Sequence, residues 1–354
     1  MRAAGFAYTE PKAPFGLIEY SLEPAPDEVI VKVAGCGLCH TDVGFYFGDV
    51  TPRAKLPLVL GHEISGTVEV AGANHAGLVG ARVIVPSVMP CGACPHCVAG
   101  YPNTCSRQFM PGNDGHGGFA DRIKVPARYL AVLPPDLKGY ALADLSVIAD
   151  AVTTPCQSVF RSGLKPGDVA IVVGVGGIGT YAVQIAKAEG AFVVAIDIDD
   201  GKLDRILQHG ADAAFNVKGV DIKEARKAVR KLVTNAGQPD FAWKIFEMSG
   251  SAPGQELAYA LLPGSGTLAI VGFTMAKLEL RLSNLMAFDA TCFGNWGCAP
   301  ELYGKAIEMV LDGRINMKPF IKRHPLSAIN ELFKAAHAGE LAERAILVPE
   351  GAEA

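Results

Sequence analysis

The sequence predicts a two-domain α/β protein in which a doubly wound parallel-sheet domain interrupts a β-rich one. Residues 1–150 carry short β-type runs such as EVIVKVAGCG and GARVIVPSVM, broken by Gly and Pro, with little helical periodicity. From about residue 152 to 290 strand-like and helix-like segments alternate, which is the pattern of a parallel sheet. The tail from about 290 carries two helix-like runs, ELYGKAIEMVLDG and AINELFKAAHAGE. The domains read as 1–151 with 291–354, and 152–290 inserted between them. A chain of 354 residues, 50% apolar with 40 Gly, suits two well-buried domains with many tight turns.

Charge and composition exclude several function classes. Net charge is −4 with the basic residues scattered, so neither nucleic acid nor an anionic membrane is an expected partner. The first residues, MRAAGFAYTEPKAPFG, lack the continuous apolar core of a signal peptide, and no apolar run reaches membrane-spanning length. Nine cysteines, four of them clustered, point to metal ligation in a reducing cytoplasm instead of a disulfide framework.

In the inserted domain, the apolar run Val169–Val173 leads directly into GVGGIG, and a helix-like segment follows. After a strand and before a helix, Gly174 permits the tight turn and Gly176 lets a diphosphate approach the backbone. Gly179 lets helix and strand pack closely, and the amides around Gly177 and Ile178 open the helix. A second β-branched run, FVVAI, ends at Asp197, where a carboxylate receives the ribose hydroxyls of adenosine. Asp199 and Asp200 add negative charge that repels a 2′-phosphate, so the expected cofactor is NAD; Lys202 is a candidate ribose contact.

Upstream, CGACPHCVAGYPNTC places Cys91, Cys94, Cys97 and Cys105 in the spacing C-x2-C-x2-C-x7-C. Two-residue gaps point successive thiolates at one tetrahedral zinc and leave no open position, so this lobe (91–105) reads as a structural site. The Pro that follows ferredoxin cysteines is absent, and the loop contains no Lys or Arg for nucleic acid. His96 reads as solvent-facing. Two further segments, GCGLCHTD (35–42) and LGHEISG (60–66), offer a Cys and a His for a second metal. The stretch ADAVTTPC then offers Asp150 or Cys156 to complete it.

These segments occur in the order and spacing of the medium-chain zinc alcohol dehydrogenases, and the resemblance covers essentially the whole chain. It implies a β-rich GroES-like catalytic domain, a Rossmann NAD-binding domain, and two zinc ions per subunit, one catalytic and one structural. It places Cys39 and His62 on the catalytic zinc, Thr41 on the substrate oxygen and His40 toward the cofactor diphosphate. Asp42 falls where a carboxylate orients the ligating His, and Glu63 where a carboxylate lies close behind the zinc and can ligate it. Matching Thr-Thr-Pro to the family's segment puts Asp150 on the third ligand position and leaves Cys156 two helical turns away. Gly44 stands where many relatives carry a His, so the usual proton relay is incomplete, and His116 is a candidate replacement. Unusual stretches such as MPGNDGHGGFAD (110–121) and WKIFEMSGSAPGQ (243–255) resemble a branch acting on a cyclic acyl-CoA alcohol. Phe45, Tyr46, Phe47 and Trp296 are candidates to line a ring pocket, and Arg281 to meet a CoA phosphate. The family implies a homo-oligomer, dimer or tetramer.

Overall fold

The structure, a computed structural model, describes residues 1–352 and divides into two compact units. The first comprises residues 1–153, 297–312 and 317 onward; the second comprises 154–296 with 313–316. The sequence boundary at 290/291 falls just ahead of a strand, Thr291–Gly294, that belongs to the second unit's sheet.

The first unit begins with β1 (Arg2–Tyr8), β2 (Gly16–Ser21) and β3 (Glu28–Gly37), followed by α1 (His40–Phe47). Then come β4 (Leu58–Val59), β5 (Glu63–Ala71), β6 (Arg82–Val85), the single-turn α2 (Pro95–Val98), β7 (Arg122–Pro126) and β8 (Ala131–Val132). β1 lies between β2 and β4 in a small antiparallel sheet. β3 is the central strand of a larger sheet. It pairs antiparallel with β5 along its length and with β7 over its first half. Its apolar residues (Val29, Ile30, Val31 and Val33) are all buried, as expected of a strand covered on both faces. A 3-10 helical segment, Leu142–Ala149, closes this part of the chain and delivers Asp150 at its end.

α3 (Thr153–Arg161) starts on the last residue of the first unit's opening stretch and runs into the second unit; its Cys156 is fully buried, as expected of an internal helix residue. The second unit continues with β9 (Val169–Val173), α4 (Gly179–Ala188), β10 (Phe192–Asp197), α5 (Asp200–Leu207), β11 (Ala213–Asn216) and α6 (Ile222–Asn235). The rest is β12 (Lys244–Glu247), α7 (Ala252–Ala260), β13 (Thr267–Ile270), α8 (Ser283–Ala287) and β14 (Thr291–Gly294). All six strands are parallel, in the order β11-β10-β9-β12-β13-β14. This is the 3-2-1-4-5-6 order of a Rossmann sheet, whose order reverses beside β9 and leaves a crevice at the strand ends. Every residue of β9 is buried, which explains its uninterrupted apolar run.

The chain then returns to the first unit with α9 (Tyr303–Leu311), β15 (Ile321–Pro325), α10 (Ile329–His337) and β16 (Arg344–Val348). β16 pairs with the end of β3, setting Leu347 opposite Cys36 and Ile346 opposite Gly37. α10 covers the aromatic part of this core. Phe333 lies 4.6 Å from Phe15 and 5.3 Å from Tyr46, while Phe47 stacks on His337 at 3.6 Å. The expectation that Phe45, Tyr46 and Phe47 line a ring pocket is thereby corrected. Phe45 and Tyr46 are core residues and Phe47 is covered by α10, because α1 turns its apolar side inward. Among the described residues, no helix is long and apolar enough to cross a membrane.

Candidate functional site

Four potential donors converge in the first unit: Cys39, His62, Glu63 and Asp150 offer ligand atoms all within 4.8 Å of one another. Cys39 is the residue before α1, where the helix starts its first turn. Asp42, fully buried in that turn, fixes both neighbours: its carboxylate accepts from the Cys39 amide at 3.2 Å and from the Gly61 amide at 3.0 Å. It also lies 3.3 Å from His62 Nδ1. A carboxylate on Nδ1 selects the ring orientation that presents Nε2 to the centre. There Nε2 lies 3.7 Å from Asp150 Oδ2, and Cys39 Sγ lies 3.6 Å from the same oxygen. Thr41 Oγ1 is 3.8 Å from Cys39 Sγ.

These separations suit zinc. Bonds of about 2.3 Å to sulfur and about 2.0 Å to oxygen or nitrogen give tetrahedral edges of roughly 3.3–3.5 Å. Electrostatics agree. Burial disfavours a charged His62, yet Asp42, Cys39 and Asp150 outweigh it and push its ionisation well above that of a free histidine. The cluster therefore attracts positive charge, which a divalent cation supplies.

Glu63 belongs to the same cluster but has a partner of its own. Gly37 faces it across the β3–β5 ladder, and a Cβ on Gly37 would fall within 2.0 Å of Glu63 Oε2. Into that space the carboxylate folds, and Arg344 grips it in a two-pronged pair, Nε to Oε2 at 2.8 Å and a terminal guanidinium nitrogen to Oε1. Both side chains are buried. Burial raises the pKa of the Glu63 carboxyl against the pull of Arg344, and Asp150 adds to the rise. Arg344, 281 residues away in sequence, carries no local motif that sequence reasoning detects.

The four-cysteine lobe also closes on a common point. Cys94 Sγ is 3.5 Å from Cys97 Sγ and 3.6 Å from Cys105 Sγ, close to the edge of roughly 3.8 Å for four thiolates on zinc. The amides of Cys91 and Arg107 point at Cys105 Sγ, 3.2 and 3.3 Å away. The backbone amide of Cys97, with Ser106, pulls the Cys94 thiol down to about 5. A reciprocal pair of backbone bonds between Met89 and Phe109, each 2.9 Å, ties the base of the lobe. His96 is exposed, as expected.

In the second unit, three of the four glycines after β9 meet different surroundings. Gly174 has φ +86°, and a Cβ there would stand 2.6 Å from the backbone of Ser249. On Gly179 a Cβ would overlap the Gly174 carbonyl oxygen, and on Gly176 it would meet open space. Gly177 and Ile178 complete the turn into α4. Asp197 ends β10 with its carboxylate drawn toward the turn, accepting from Val175 N at 2.8 Å and from Ile198 N at 2.8 Å. Asp199 caps α5 by accepting from the Lys202 amide, and the Lys202 side chain is half-exposed.

Other candidates resolve more simply. His40 is exposed at the start of α1. His116 serves the fold: Nδ1 accepts from Val59 N at 3.2 Å and the ring packs on Tyr20 at 4.6 Å. Arg281 lines a cavity of about 400 Å³ with Arg226, Glu256 and Glu279, where acidic and basic groups are balanced.

The family described as "Alcohol dehydrogenase GroES-like domain" matches residues 25–135, and "Zinc-binding dehydrogenase" matches 177–312. An alcohol dehydrogenase of Geobacillus stearothermophilus is 32% identical over 90% of this chain and 91% of its own length. A sorbitol dehydrogenase of Halalkalibacterium halodurans is 28% identical over 92% of this chain and 94% of its own. Among solved structures, the alcohol dehydrogenase of Aeropyrum pernix aligns with TM-score 0.86 and 28% identity, covering 98% of this chain and all of that one. With its Rossmann sheet, its two donor clusters and these relatives across nine-tenths of its length, the chain belongs to the medium-chain zinc-dependent alcohol dehydrogenases.

Proposed function

We propose that this protein oxidises a secondary alcohol to a ketone with NAD⁺, at a zinc held by Cys39, His62 and Asp150. The observation that carries the reading is the convergence of those three donors around one point. A thiolate, a neutral imidazole and a carboxylate balance Zn²⁺ and leave one coordination position for substrate. The bound groups supply Lewis acidity toward the alcohol oxygen and, in the nicotinamide, a hydride acceptor.

The chain's own residues do the rest. Thr41 holds the alcohol oxygen through its hydroxyl, and Asp42 keeps His62 Nε2 aimed at the centre. Glu63 stays with Arg344 and becomes a ligand only where that pair opens. Gly44, with open space where a side chain would be, offers no imidazole for a relay, so the proton leaves to water. The GVGGIG turn takes the diphosphate, and Asp197 with Lys202 takes the adenosine ribose; His40 is assigned to the diphosphate by family resemblance alone. The carboxylates of Asp197, Asp199 and Asp200 favour NAD over NADP. Cys91, Cys94, Cys97 and Cys105 hold the structural zinc. An Asp150→Ala protein tests the ligand set: it keeps the lobe zinc and loses most of the other. Two zinc ions with full activity would refute the assignment.

The relatives' names support an ordinary alcohol or polyol as substrate. A narrower reading is 6-hydroxycyclohex-1-ene-1-carbonyl-CoA, oxidised to its 6-oxo enone in anaerobic benzoyl-CoA degradation. Its support is sequence resemblance in 110–121, 243–255, 271–288 and GNWGC (294–298). The product's β-carbon, activated by ketone and thioester, would also accept hydride from NADH, with water supplying the proton. Steady-state NAD⁺ reduction with this thioester, its free acid, sorbitol and a simple secondary alcohol separates the readings. Equal rates on thioester and free acid would remove the CoA assignment.

The open edge of β14, which ends the parallel sheet, supports assembly with a second copy as a dimer or tetramer. Light scattering on the purified protein tests it. No two of the nine cysteines are joined as a disulfide, which suits a reducing cytoplasm.

A further inference from the structure

The carbonyl oxygen of Ala149, next to Asp150, is gripped by two side chains. Tyr303 donates its hydroxyl to it at 2.6 Å, and Thr153 donates its own at 3.1 Å. Tyr303 is the first residue of α9 and lies in the first unit. Its hydroxyl oxygen also accepts from the Ser87 amide at 3.1 Å, in the segment that runs from β6 toward the cysteine lobe. Ser87, Ala149, Thr153 and Tyr303 are all buried. Burial pushes the phenol's ionisation up, so it remains a donor.

A buried hydroxyl costs free energy unless bonded, and phenylalanine would fill nearly the same volume without that cost. What the hydroxyl adds is a fixed point for the backbone where the 3-10 helical segment ends. At Asp150 the backbone leaves the helical conformation (φ −140°, ψ −57°), and the peptide before it sets the direction of the Asp150 side chain. The Cys39 and His62 contacts to Asp150 Oδ2 depend on that direction.

We infer that Tyr303 is a positioning residue for the metal centre: by holding the Ala149 carbonyl it fixes Asp150 toward Cys39 and His62. The inference rests on Asp150 being a zinc ligand, as proposed above. Thr153 shares the task from the start of α3, four residues on, and Tyr303 anchors it from a distant part of the chain.

Full-length wild type, Asp150→Ala, Tyr303→Phe and Thr153→Val are loaded with zinc and dialysed against rising concentrations of a competing chelator. Zinc per chain is then counted. The lobe zinc is the internal control, since its four sulfurs touch none of these groups. Wild type holds two zinc ions and Asp150→Ala one. Tyr303→Phe holds two at saturation but gives up the second at about tenfold lower chelator concentration, as expected for loss of an outer-shell bond. Thr153→Val shifts the same way by a smaller factor. In cobalt-substituted protein, the visible bands of the one-thiolate site change in Tyr303→Phe, while those of the four-thiolate site stay fixed.

A Tyr303→Phe curve that superimposes on wild type would overturn the inference, as would parallel loss of both metals. If Tyr303→Phe does not fold, Thr153→Val decides, and an unchanged curve counts against it. Two retained zinc ions in Asp150→Ala would sink the ligand assignment and this inference together. Loss in Asp150→Ala with no shift in Tyr303→Phe or Thr153→Val would sink the inference alone.

Discussion

Replacing Gly176 with alanine should separate cofactor binding from folding. A Cβ at this position meets nothing within 4 Å, and Gly176 is not among the glycines with positive φ. Folding therefore tolerates the methyl. Reduced freedom in the unfolded chain contributes about 0.4–1 kcal/mol in its favour. In a protein of this size that leaves the melting temperature unchanged or raised by roughly 1–4 °C. On the proposed cofactor site NAD faces the opposite effect, because the methyl would project into the space a diphosphate needs to reach the backbone amides. A hydrogen bond to a charged group contributes about 1.5–3 kcal/mol. Losing one such bond weakens binding about 10- to 100-fold, since 1.4 kcal/mol is tenfold. The assay is NADH fluorescence titration beside a thermal melt, with Gly179→Ala as comparison. There the new Cβ falls within 1.8 Å of the Gly174 carbonyl oxygen, so stability and binding should drop together. An unchanged NADH Kd in Gly176→Ala would refute a diphosphate lying over this turn. A melting temperature lowered as far as in Gly179→Ala would refute the open space.

Asp42→Ala removes one carboxylate serving Cys39, Gly61 and His62, so the second zinc should bind about 10- to 100-fold more weakly while the lobe zinc stays. Competition with a chelator reads both. Arg344→Met leaves the buried Glu63 carboxylate unpaired, which should cost about 3–5 kcal/mol in urea unfolding. Adding Glu63→Leu should recover most of that, and a single variant no worse than the double would contradict a buried ion pair. Burial lowers the His116 pKa, and its Nδ1 must stay unprotonated to accept from Val59. Its contribution is thus complete above the unfolded value of about 6.5 and is lost as pH falls. His116→Gln should melt with a shallower pH dependence between pH 7 and 5, and an unchanged slope would count against this role.

The legible parts of the sequence are those whose chemistry is local. Strand, glycine turn and helix follow one another within Val169–Ala188, so the Rossmann unit is readable from a short window. The spacing of Cys91, Cys94, Cys97 and Cys105 likewise suffices to mark a metal lobe, whose sulfurs the fold gathers. Asp150 needed a resemblance, because nothing in ADAVTTPC says which residue faces Cys39. Arg344 and Tyr303 were invisible for a different reason. Each meets its partner through strand pairing or helix packing across more than 150 residues, and each looks in sequence like an ordinary surface Arg or core Tyr. The aromatic run Phe45–Phe47 was ambiguous because apolar side chains suit a pocket and a core equally well. Only the position of Phe15 and α10 decides between them.

The pairing of Glu63 with Arg344 also sets an order of assembly during synthesis. Residues 154–296 emerge contiguously and contain all six strands of their sheet, so the second unit's sheet can form as soon as they clear the ribosome. The first unit, begun earlier, must wait. Until Arg344–Val348 arrive, the end of β3 lacks β16 and the Glu63 carboxylate has no cation with which to enter the interior. The part of the chain made first is therefore finished last. A nascent protein released just before Arg344 would carry a complete Rossmann unit attached to an open, acidic sheet edge, a substrate for quality control and not an enzyme.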